Sequence, residues 1–251
     1  VFRCRERGSG QERAVKFLLQ PGYRSTKRFL REVKLLQSIT GDHITTYHGD
    51  GRIKTTRNSD SKIVNIPFVI MELADCNLQD LMRSTDQPIS YEQYAGQFRG
   101  LAKALATLHA KAVHRDIKPQ NILLRYLRED HSYEIVLADF GLCKDRRTRE
   151  LCYTETYRPP SDFLEEGEFY SKSSDLWAFA KTSLELLLPK DPRKRFDQAS
   201  FERAVYFSRI PGFSKRREKL ESELSFKPPQ AVVNTLFLFL DQKEDQRPEA
   251  R

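Results

Sequence analysis

The stretch HRDIKPQN, His114 to Asn121, places an acid, a lysine and an amide within a few residues of one loop. A turn could aim Asp116 and Asn121 at one point, and Asp139 could reach that point from the end of the strand IVLAD. Oxygen ligands from Asn121 and Asp139, with the carboxylate of Asp116 beside them, suit Mg²⁺ bound to a phosphate and a neighbouring base. Lys118 would add positive charge for a phosphoryl group in transfer. The loop therefore predicts a magnesium–phosphate site.

The hydrophobic pattern changes from strands to helices along the chain. Before Leu78 the strand candidates are VFRCRE, RAVKFLL, GRIK and IPFVIMEL, with one helical stripe at Thr26 to Ile39. After Leu78 helices dominate, apart from the β pair NILL and EIVLADF. Asp175 to Leu188 is apolar on most sides, as in a helix buried inside a domain. We predict an α+β fold, with a small β-rich lobe joined to a larger α-helical lobe near residues 72–78.

The composition narrows the class of protein. With 39% apolar and 31% charged residues the chain is an ordinary globular protein, and its four cysteines form no CxxC pair. Reduced thiols in an intracellular, cytoplasmic segment are the simplest interpretation. The apolar run at Ala231 to Leu240 is too short to span a bilayer and predicts a buried helix. The net charge is +8, but the basic clusters RKR and KRREK lack interleaved aromatic residues, so a solvated surface is favoured over a nucleic-acid site.

Three motifs together resemble those of the eukaryotic-type protein kinases. They are AVK (Ala14 to Lys16), HRDIKPQN and DFG (Asp139 to Gly141), in this order, and the resemblance runs from Val1 to Arg247. It implies the bilobal protein-kinase-like fold, with ATP and Mg²⁺ as cofactors and a protein bearing a serine or threonine acceptor as substrate.

The resemblance also assigns roles to the polar residues. Asp116 would orient or deprotonate the substrate hydroxyl, and Lys118 is typical of serine/threonine rather than tyrosine kinases. Asn121 and Asp139 would hold Mg²⁺. Lys16 would hold the α- and β-phosphates of ATP and pair with a glutamate of the first helix.

Glu32 is the candidate for that glutamate on independent grounds. It lies three residues after Phe29 and four before Leu36, beside the apolar stripe of the helix. A carboxylate turned towards a core needs a cationic partner, because burying it alone is costly. We therefore predict a Lys16–Glu32 pair, and the alternative is a solvated helix charge.

The segment IPFVIMELADCNL resembles the strand and hinge that carry adenine. Met71 would be the gatekeeper, and the backbones of Glu72 and Ala74 would hydrogen-bond the base. Three apolar side chains would sandwich the ring: Ala14, Leu123 and Val1. An ordinary buried strand fits the apolar pattern equally well, and only the family spacing favours the adenine site.

Later segments extend the resemblance. Thr154 and Tyr157 in TETYRPP match the substrate-facing residues of serine/threonine kinases. Asp175 in SSDLWAFA would brace the catalytic loop. Arg247 in QRP matches the arginine that normally pairs with the glutamate of an APE motif.

The start of the chain departs from the family pattern. The glycine-rich loop is missing, and Val1 falls where the valine just after that loop should be. We expect a chain truncated at its start, so that residues 1–251 form a partial kinase domain. Residues 1–73 would be an N-lobe lacking its first strand and glycine loop, and residues 74–251 the C-lobe.

Two departures lie in the large lobe. The APE motif reads PPS, so Arg247 needs another carboxylate, for which the candidates are Asp162, Glu165 and Glu166. The glycine of the DxWxxG pattern is Ala180, a mild change.

Arg115, which precedes Asp116, matches the arginine that pairs with a phosphorylated loop residue in many kinases of this type. Four positions before Thr154, where the family commonly places a phosphosite, the chain has Glu150. Its carboxylate could pair with Arg115 permanently, supplying about one negative charge where phosphate supplies about 1.5 to 2. The alternative is that Thr148 is the phosphosite.

These features favour a serine/threonine protein kinase domain. A pseudokinase scaffold remains an alternative, to which the PPS sequence lends support. ELADCNLQDLM and DFGLCK also resemble the kinase half of the kinase–endoribonuclease stress sensors. A small-molecule phosphotransferase is disfavoured, because Lys118 and the segment from Thr154 to Tyr157 suit a peptide substrate.

Overall fold

The computed structural model describes residues 1–56, 63–84, 91–129, 132–143, 157, 171–187 and 229–240. The strands in these ranges are β1 Phe2–Arg5, β2 Glu12–Phe17, β3 Tyr47–Thr56, β4 Ile63–Glu72, β5 Cys76–Asn77, β6 Ile122–Leu127 and β7 Ser132–Leu137. The helices are α1 Tyr23–Ser38, α2 Leu78–Ser84, α3 Tyr91–His109, α4 Lys172–Leu187 and α5 Gln230–Phe239. Short 3₁₀ turns occupy Pro119–Asn121 and Phe140–Leu142. The predicted α+β class is confirmed.

The small lobe is an antiparallel sheet in the order β1-β2-β4-β3. The register of β2 against β4 pairs Ala14 with Met71 and Lys16 with Val69. Because successive side chains of a strand alternate between faces, Ala14 and Lys16 share one face of β2. The two residues predicted to contact the nucleotide therefore lie on the same side of the sheet.

Helix α1 packs on this sheet through one buried stripe, made of Phe29, Glu32, Val33 and Leu36. The helix begins at Tyr23, three residues before the predicted stripe. The amide of Gly22 donates to Ser25 Oγ at 2.8 Å, and the amide of Thr26 donates to the carbonyl of Gly22 at 2.8 Å. These bonds satisfy polar groups of the first turn, which the apolar pattern alone does not reveal.

The hairpin β6–β7 connects the two lobes. It forms a second sheet with β5. The amide of Leu137 donates to the carbonyl of His43 at 2.8 Å, and the amide of Thr45 donates to the carbonyl of Leu137 at 3.0 Å. Asn121 immediately precedes β6 and Asp139 follows β7 by two residues. The hairpin thus brings two candidate Mg²⁺ ligands from separate parts of the chain to one end of a sheet.

The large lobe is centred on α4, which is buried on nearly all sides as its apolar sequence predicts. Helix α5 contacts it, with the rings of Phe179 and Phe239 5.8 Å apart. The prediction for α5 was only partly right, because Val233 and Leu236 are buried whereas Asn234 is exposed. Among the helices in the part of the chain that the structure describes, none is both long and apolar enough to cross a bilayer.

Candidate active site

A cluster of three charged side chains lies between the lobes. Lys16 Nζ donates to Glu32 Oε1 at 2.7 Å, to Glu32 Oε2 at 2.9 Å and to Asp139 Oδ1 at 2.8 Å. We call Lys16, Glu32 and Asp139 the charge cluster. Exposed fractions are 25% for the Lys16 side chain, 3% for Glu32 and 47% for Asp139. The structure thus brings together a strand, a helix and the end of a hairpin through one ammonium group.

The electrostatics of the charge cluster follow from burial and from its unequal charges. Burial opposes the charged form of Lys16, but Glu32 and Asp139 outweigh it and raise the pKa of the lysine. Burial raises the pKa of Glu32, and Lys16 offsets this only in part because the Asp139 charge also raises it. Burial acts in the same direction on Asp139, yet Lys16 lowers its pKa below the ordinary value. At Glu32 the effects of burial and of the Asp139 charge therefore exceed that of Lys16, whereas at Asp139 the effect of Lys16 prevails over burial.

The backbone around Asp139 is specialised for this position. Asp139 has a φ of 62°, in the left-handed region that non-glycine residues rarely adopt. A Cβ on Gly141 would lie 3.3 Å from both Asp139 Oδ1 and Glu32 Oε2. Glycine at position 141 therefore lets the two carboxylates approach the backbone closely.

The loop HRDIKPQN folds around the carboxylate of Asp116. Lys118 Nζ lies 2.7 Å from Asp116 Oδ2, and Asn121 Nδ2 donates to the same oxygen at 2.8 Å. Asn121 Nδ2 also donates to the carbonyl of Asp116 at 2.8 Å. The turn closes because the amide of Asn121 donates to the carbonyl of Lys118 at 3.0 Å. The acid, the lysine and the amide of the motif thus converge, as the spacing predicts.

A hydrogen bond between backbone groups connects this loop with the segment that leads from β7 to Asp139. The amide of Ala138 donates to the carbonyl of Asn121 at 3.0 Å. His114 Nε2 lies 3.1 Å from the carbonyl of Ala138, and the amide of Asp116 donates to His114 Nδ1 at 3.2 Å. This geometry fits the tautomer in which Nε2–H donates and Nδ1 accepts. Residues 114–121 and Ala138, which directly precedes Asp139, therefore form one hydrogen-bonded unit.

A second cluster of buried polar groups, centred on Asp175, supports the loop HRDIKPQN. Asp175 is 0% exposed and accepts hydrogen bonds from the amides of His114, at 2.7 Å, and Arg115, at 2.8 Å. Its Oδ2 also lies 3.0 Å from Nε2 of His109, which is 3% exposed. We call Asp175, His109 and these two amides the bracing cluster. The position predicted for Asp175 agrees with these contacts.

The residues predicted to hold adenine line the sheet and the segment that joins the lobes. Ala14 and Met71 are each 8% exposed and pair across β2 and β4. Leu123 is half-buried on β6, and residues 72–74 cross between the lobes. Val1 precedes β1 and is 76% exposed. Contact of these residues with a base stays a prediction.

Tyr157 is the described member of the predicted substrate-facing segment. Its hydroxyl donates to Glu185 Oε2 at 2.7 Å, and Lys181 Nζ lies 5.1 Å from the centre of its ring. Burial, with the neighbouring Glu185 carboxylate, raises the pKa of Tyr157. The other residues predicted in this region lie outside the described residues: Thr148, Glu150, Thr154, Pro159 to Ser161, Asp162, Glu165, Glu166 and Arg247.

Sequence reasoning missed two polar groups. His109 lies four residues after Leu105, next to the apolar stripe of α3, and a histidine in that position is a signal for a buried partner. The contact of Arg125 with Glu72 carries no local signal, because the residues are 53 positions apart.

Comparisons with known proteins place the chain in a family. The description "Protein kinase domain" matches residues 1–251, so the chain belongs to the protein kinase family. Cyclin-dependent kinase F-4 of Oryza sativa subsp. japonica is 30% identical over 194 residues, covering 74% of this chain and 38% of that protein. Mitogen-activated protein kinase kinase 9 of Arabidopsis thaliana is 28% identical over 200 residues, covering 74% and 59% respectively.

A solved structure supports the fold. The crystal structure of the yeast RNA Pol II CTD kinase CTDK-1 complex contains a chain that matches with a TM-score of 0.72 at 22% identity, covering 99% of this chain and 85% of that one. The present chain spans less than two thirds of the curated relatives named above, at 38% and 59% of their lengths. The bilobal protein-kinase-like fold expected from the three motifs is confirmed.

Proposed function

We propose that this domain transfers the γ-phosphoryl group of ATP to a serine or threonine hydroxyl of a protein substrate. The observation that carries the proposal is the convergence of the charge cluster with the loop around Asp116 at one end of the hairpin β6–β7. Within the domain, residues 1–73 act as the N-lobe and residues 74–251 as the C-lobe. The substrate is an intracellular protein rather than a nucleic acid.

The donor set fits a magnesium nucleotide. Asn121 and Asp139 offer the hard oxygen atoms that Mg²⁺ prefers, and the bond between Ala138 and Asn121 keeps their backbones adjacent. Bound Mg²⁺ would neutralise charge on the phosphate oxygens. Lys16 would place its ammonium against the α- and β-phosphates, and residues 72–74 with Ala14, Met71 and Leu123 would enclose the base, with Val1 at the rim.

The transfer itself follows from the loop. The carboxylate of Asp116 accepts the proton of the substrate hydroxyl, whose oxygen forms the new bond to the γ-phosphorus. The bond from that phosphorus to the bridging oxygen breaks, and ADP leaves with the electron pair. Lys118 Nζ, 2.7 Å from Asp116 Oδ2, supplies positive charge next to the transferring group.

The test is Asp116→Asn, with Asp42→Asn as a matched control on an exposed aspartate. Phosphoryl transfer to a serine/threonine peptide library should fall by about a thousandfold, while the dissociation constant of Mg·ATP changes by less than about twofold, because Asp116 acts on the acceptor. Equal transfer by the variant and the parent would refute the role of Asp116. A parent that binds Mg·ATP without transferring phosphate would support a pseudokinase scaffold instead, and transfer to a tyrosine library alone would refute the acceptor class.

A further inference from the structure

A single carboxylate connects the end of the small-lobe sheet with two other parts of the molecule. Glu72, the last residue of β4, accepts a hydrogen bond at Oε1 from the amide of Thr46 at 3.2 Å. Its Oε2 accepts from the hydroxyl of Thr46 at 3.3 Å and from Arg125 Nη1 at 3.1 Å. The Glu72 side chain is 12% exposed. Its charge is thus largely withdrawn from water and depends on Arg125.

Arg125 belongs to the hairpin of the large lobe. It pairs in register with Glu134 across β6 and β7, and its Nε donates to Glu134 Oε2 at 3.1 Å. The hydrogen bond to Glu134, with the charges of Glu134 and Glu72, raises the pKa of Arg125 despite partial burial. One guanidinium therefore joins a carboxylate of β4 to a carboxylate of β7. We call Glu72, Arg125 and Glu134 the hinge clamp.

A second pair of hydrogen bonds attaches the same segment to β6 at Asp75, three residues after Glu72. The amide of Asp75 donates to the carbonyl of Leu124 at 2.9 Å, and the amide of Tyr126 donates to Asp75 Oδ2 at 2.7 Å. Residues 72–75 are therefore attached to β6 at both ends. Leu123 and Arg125 are two positions apart on that strand and share its face.

We propose that Arg125 is a positioning residue for the adenine end of the nucleotide. By joining Glu72 to Glu134 it sets the distance between residues 72–75 and Leu123, and so the gap into which a base fits. The inference rests on the proposed function, because it takes the backbones of Glu72 and Ala74 as the groups that bind the base. Lysine cannot replace Arg125, because a point charge does not reproduce a fork that meets two carboxylates.

The loss of Arg125 should open this gap. Arg125→Met leaves the Glu72 and Glu134 side chains, 12% and 22% exposed, facing each other without the intervening cation. Like charges in a poorly solvated place repel, and the segment 72–75 can move away from β6 to relieve the repulsion.

The experiment measures affinity for adenosine and for Mg·ATP by calorimetry in the parent, Arg125→Met, Arg125→Lys and Arg99→Met. Adenosine has no phosphates, so a loss of affinity for it cannot come from the lost charge acting on the phosphate groups. In Arg125→Met both dissociation constants should rise about fivefold, with kcat within about twofold of the parent. Arg125→Lys should recover less than half of the loss. Arg99→Met, on an exposed side chain of α3 that bonds the carbonyl of Ala95, should match the parent.

A double variant tests whether the effect of Arg125→Met comes from repulsion between Glu72 and Glu134 or from a general loss of folding. Adding Glu72→Gln to Arg125→Met removes one of the opposed charges and keeps a carbonyl acceptor for Thr46, so adenosine affinity should partly return. Adenosine affinity in Arg125→Met equal to that of the parent would overturn the inference, as would the absence of any rescue. A parent that binds adenosine without phosphoryl transfer contradicts the proposed function alone. A parent that binds neither adenosine nor Mg·ATP overturns both.

Discussion

The charge cluster, in which the Asp139 side chain is 47% exposed, and the bracing cluster, which is buried throughout, are built from different interactions. In the charge cluster three formal charges meet through side chains alone, and the lysine serves two carboxylates. In the bracing cluster the carboxylate of Asp175 accepts from two backbone amides and a histidine, and it is 0% exposed.

The difference separates a rearrangeable half of the site from a fixed half. Side-chain ion pairs can exchange partners when a metal or a phosphate arrives, and the pKa values of Glu32 and Asp139 are shifted in opposite directions. Bonds from a buried carboxylate to backbone amides cannot exchange without moving the loop. Substitutions in the charge cluster should therefore mainly lower activity, and substitutions in the bracing cluster should mainly lower the free energy of unfolding.

The largest effect should come from the fixed half. Asp175→Ala removes the acceptor of two buried amides, and each unsatisfied group costs about 1–3 kcal/mol. We expect the free energy of unfolding to fall by about 3–5 kcal/mol in urea denaturation. Asp175→Asn, which keeps one carbonyl acceptor, should lose clearly less. If the asparagine variant is as unstable as the alanine variant, the negative charge rather than the acceptor is what matters.

Lys16→Met should mainly affect function. Without the ammonium, Glu32 and Asp139 repel each other, and under the proposed function the phosphates of ATP lose a cationic partner. Phosphoryl transfer should fall by about a hundredfold or more, by analogy with the removal of one charge-stabilising donor. Mg·ATP affinity should fall while adenosine affinity stays within about twofold, whereas loss of the hinge clamp should weaken the binding of both. The control is Lys27→Met, on an exposed position of α1. A stability loss larger than that of Asp175→Ala would contradict the division into two halves.

The pH dependence of stability sharpens the contrast within the charge cluster. The pKa of Glu32 is raised by burial and by Asp139. The contribution of Glu32 to stability is therefore fully present below about pH 4.3, its pKa in the unfolded chain, and is lost as the pH rises through its raised pKa in the folded chain. The pKa of Asp139 is lowered. The contribution of Asp139 to stability is therefore present above about pH 3.9, its pKa in the unfolded chain, and is lost as the pH falls through its lowered pKa in the folded chain.

Glu32→Gln isolates the first of these contributions. Relative to the parent, its unfolding free energy should rise between pH 4 and pH 7, since the raised pKa of Glu32 makes the parent lose stability over this range. Urea titrations at several pH values measure this difference. A difference independent of pH would show that Glu32 has the same pKa in the folded and unfolded chains.

The smallest effect should come from Ala180, which is 0% exposed in α4 where the family pattern has glycine. Ala180→Gly should lower the free energy of unfolding by about 1 kcal/mol, because glycine is a poorer helix former. Phosphoryl transfer per folded molecule should not change. A gain in activity would show that the family glycine has a role that the alanine obstructs.

The sequence by itself determined the parts of the site whose residues are close in the chain or repeat with a regular period. Asp116, Lys118 and Asn121 converge because a hydrogen-bonded turn closes within a span of six residues. Glu32 faces inwards because it lies next to an apolar stripe, and α4 is buried because it is apolar on most sides. Periodicity also identified the strands of the small lobe, but it did not predict α2 and the two-residue β5, which are too short to show a period.

Tertiary structure alone decided which distant groups meet. Lys16 bonds Asp139 across 123 positions, and Arg125 reaches Glu72 across 53. Asp175 accepts from amides 60 and 61 positions away, a contact that only the family resemblance predicted. A hydrophobic period tells which face of a strand or helix is buried, but not which other element covers that face. The partner depends on the register of β2 against β4 and on how the hairpin β6–β7 joins the lobes. The hinge clamp has no counterpart in any local pattern, because in the sequence alone an arginine and two glutamates on strands are indistinguishable from ordinary surface charges.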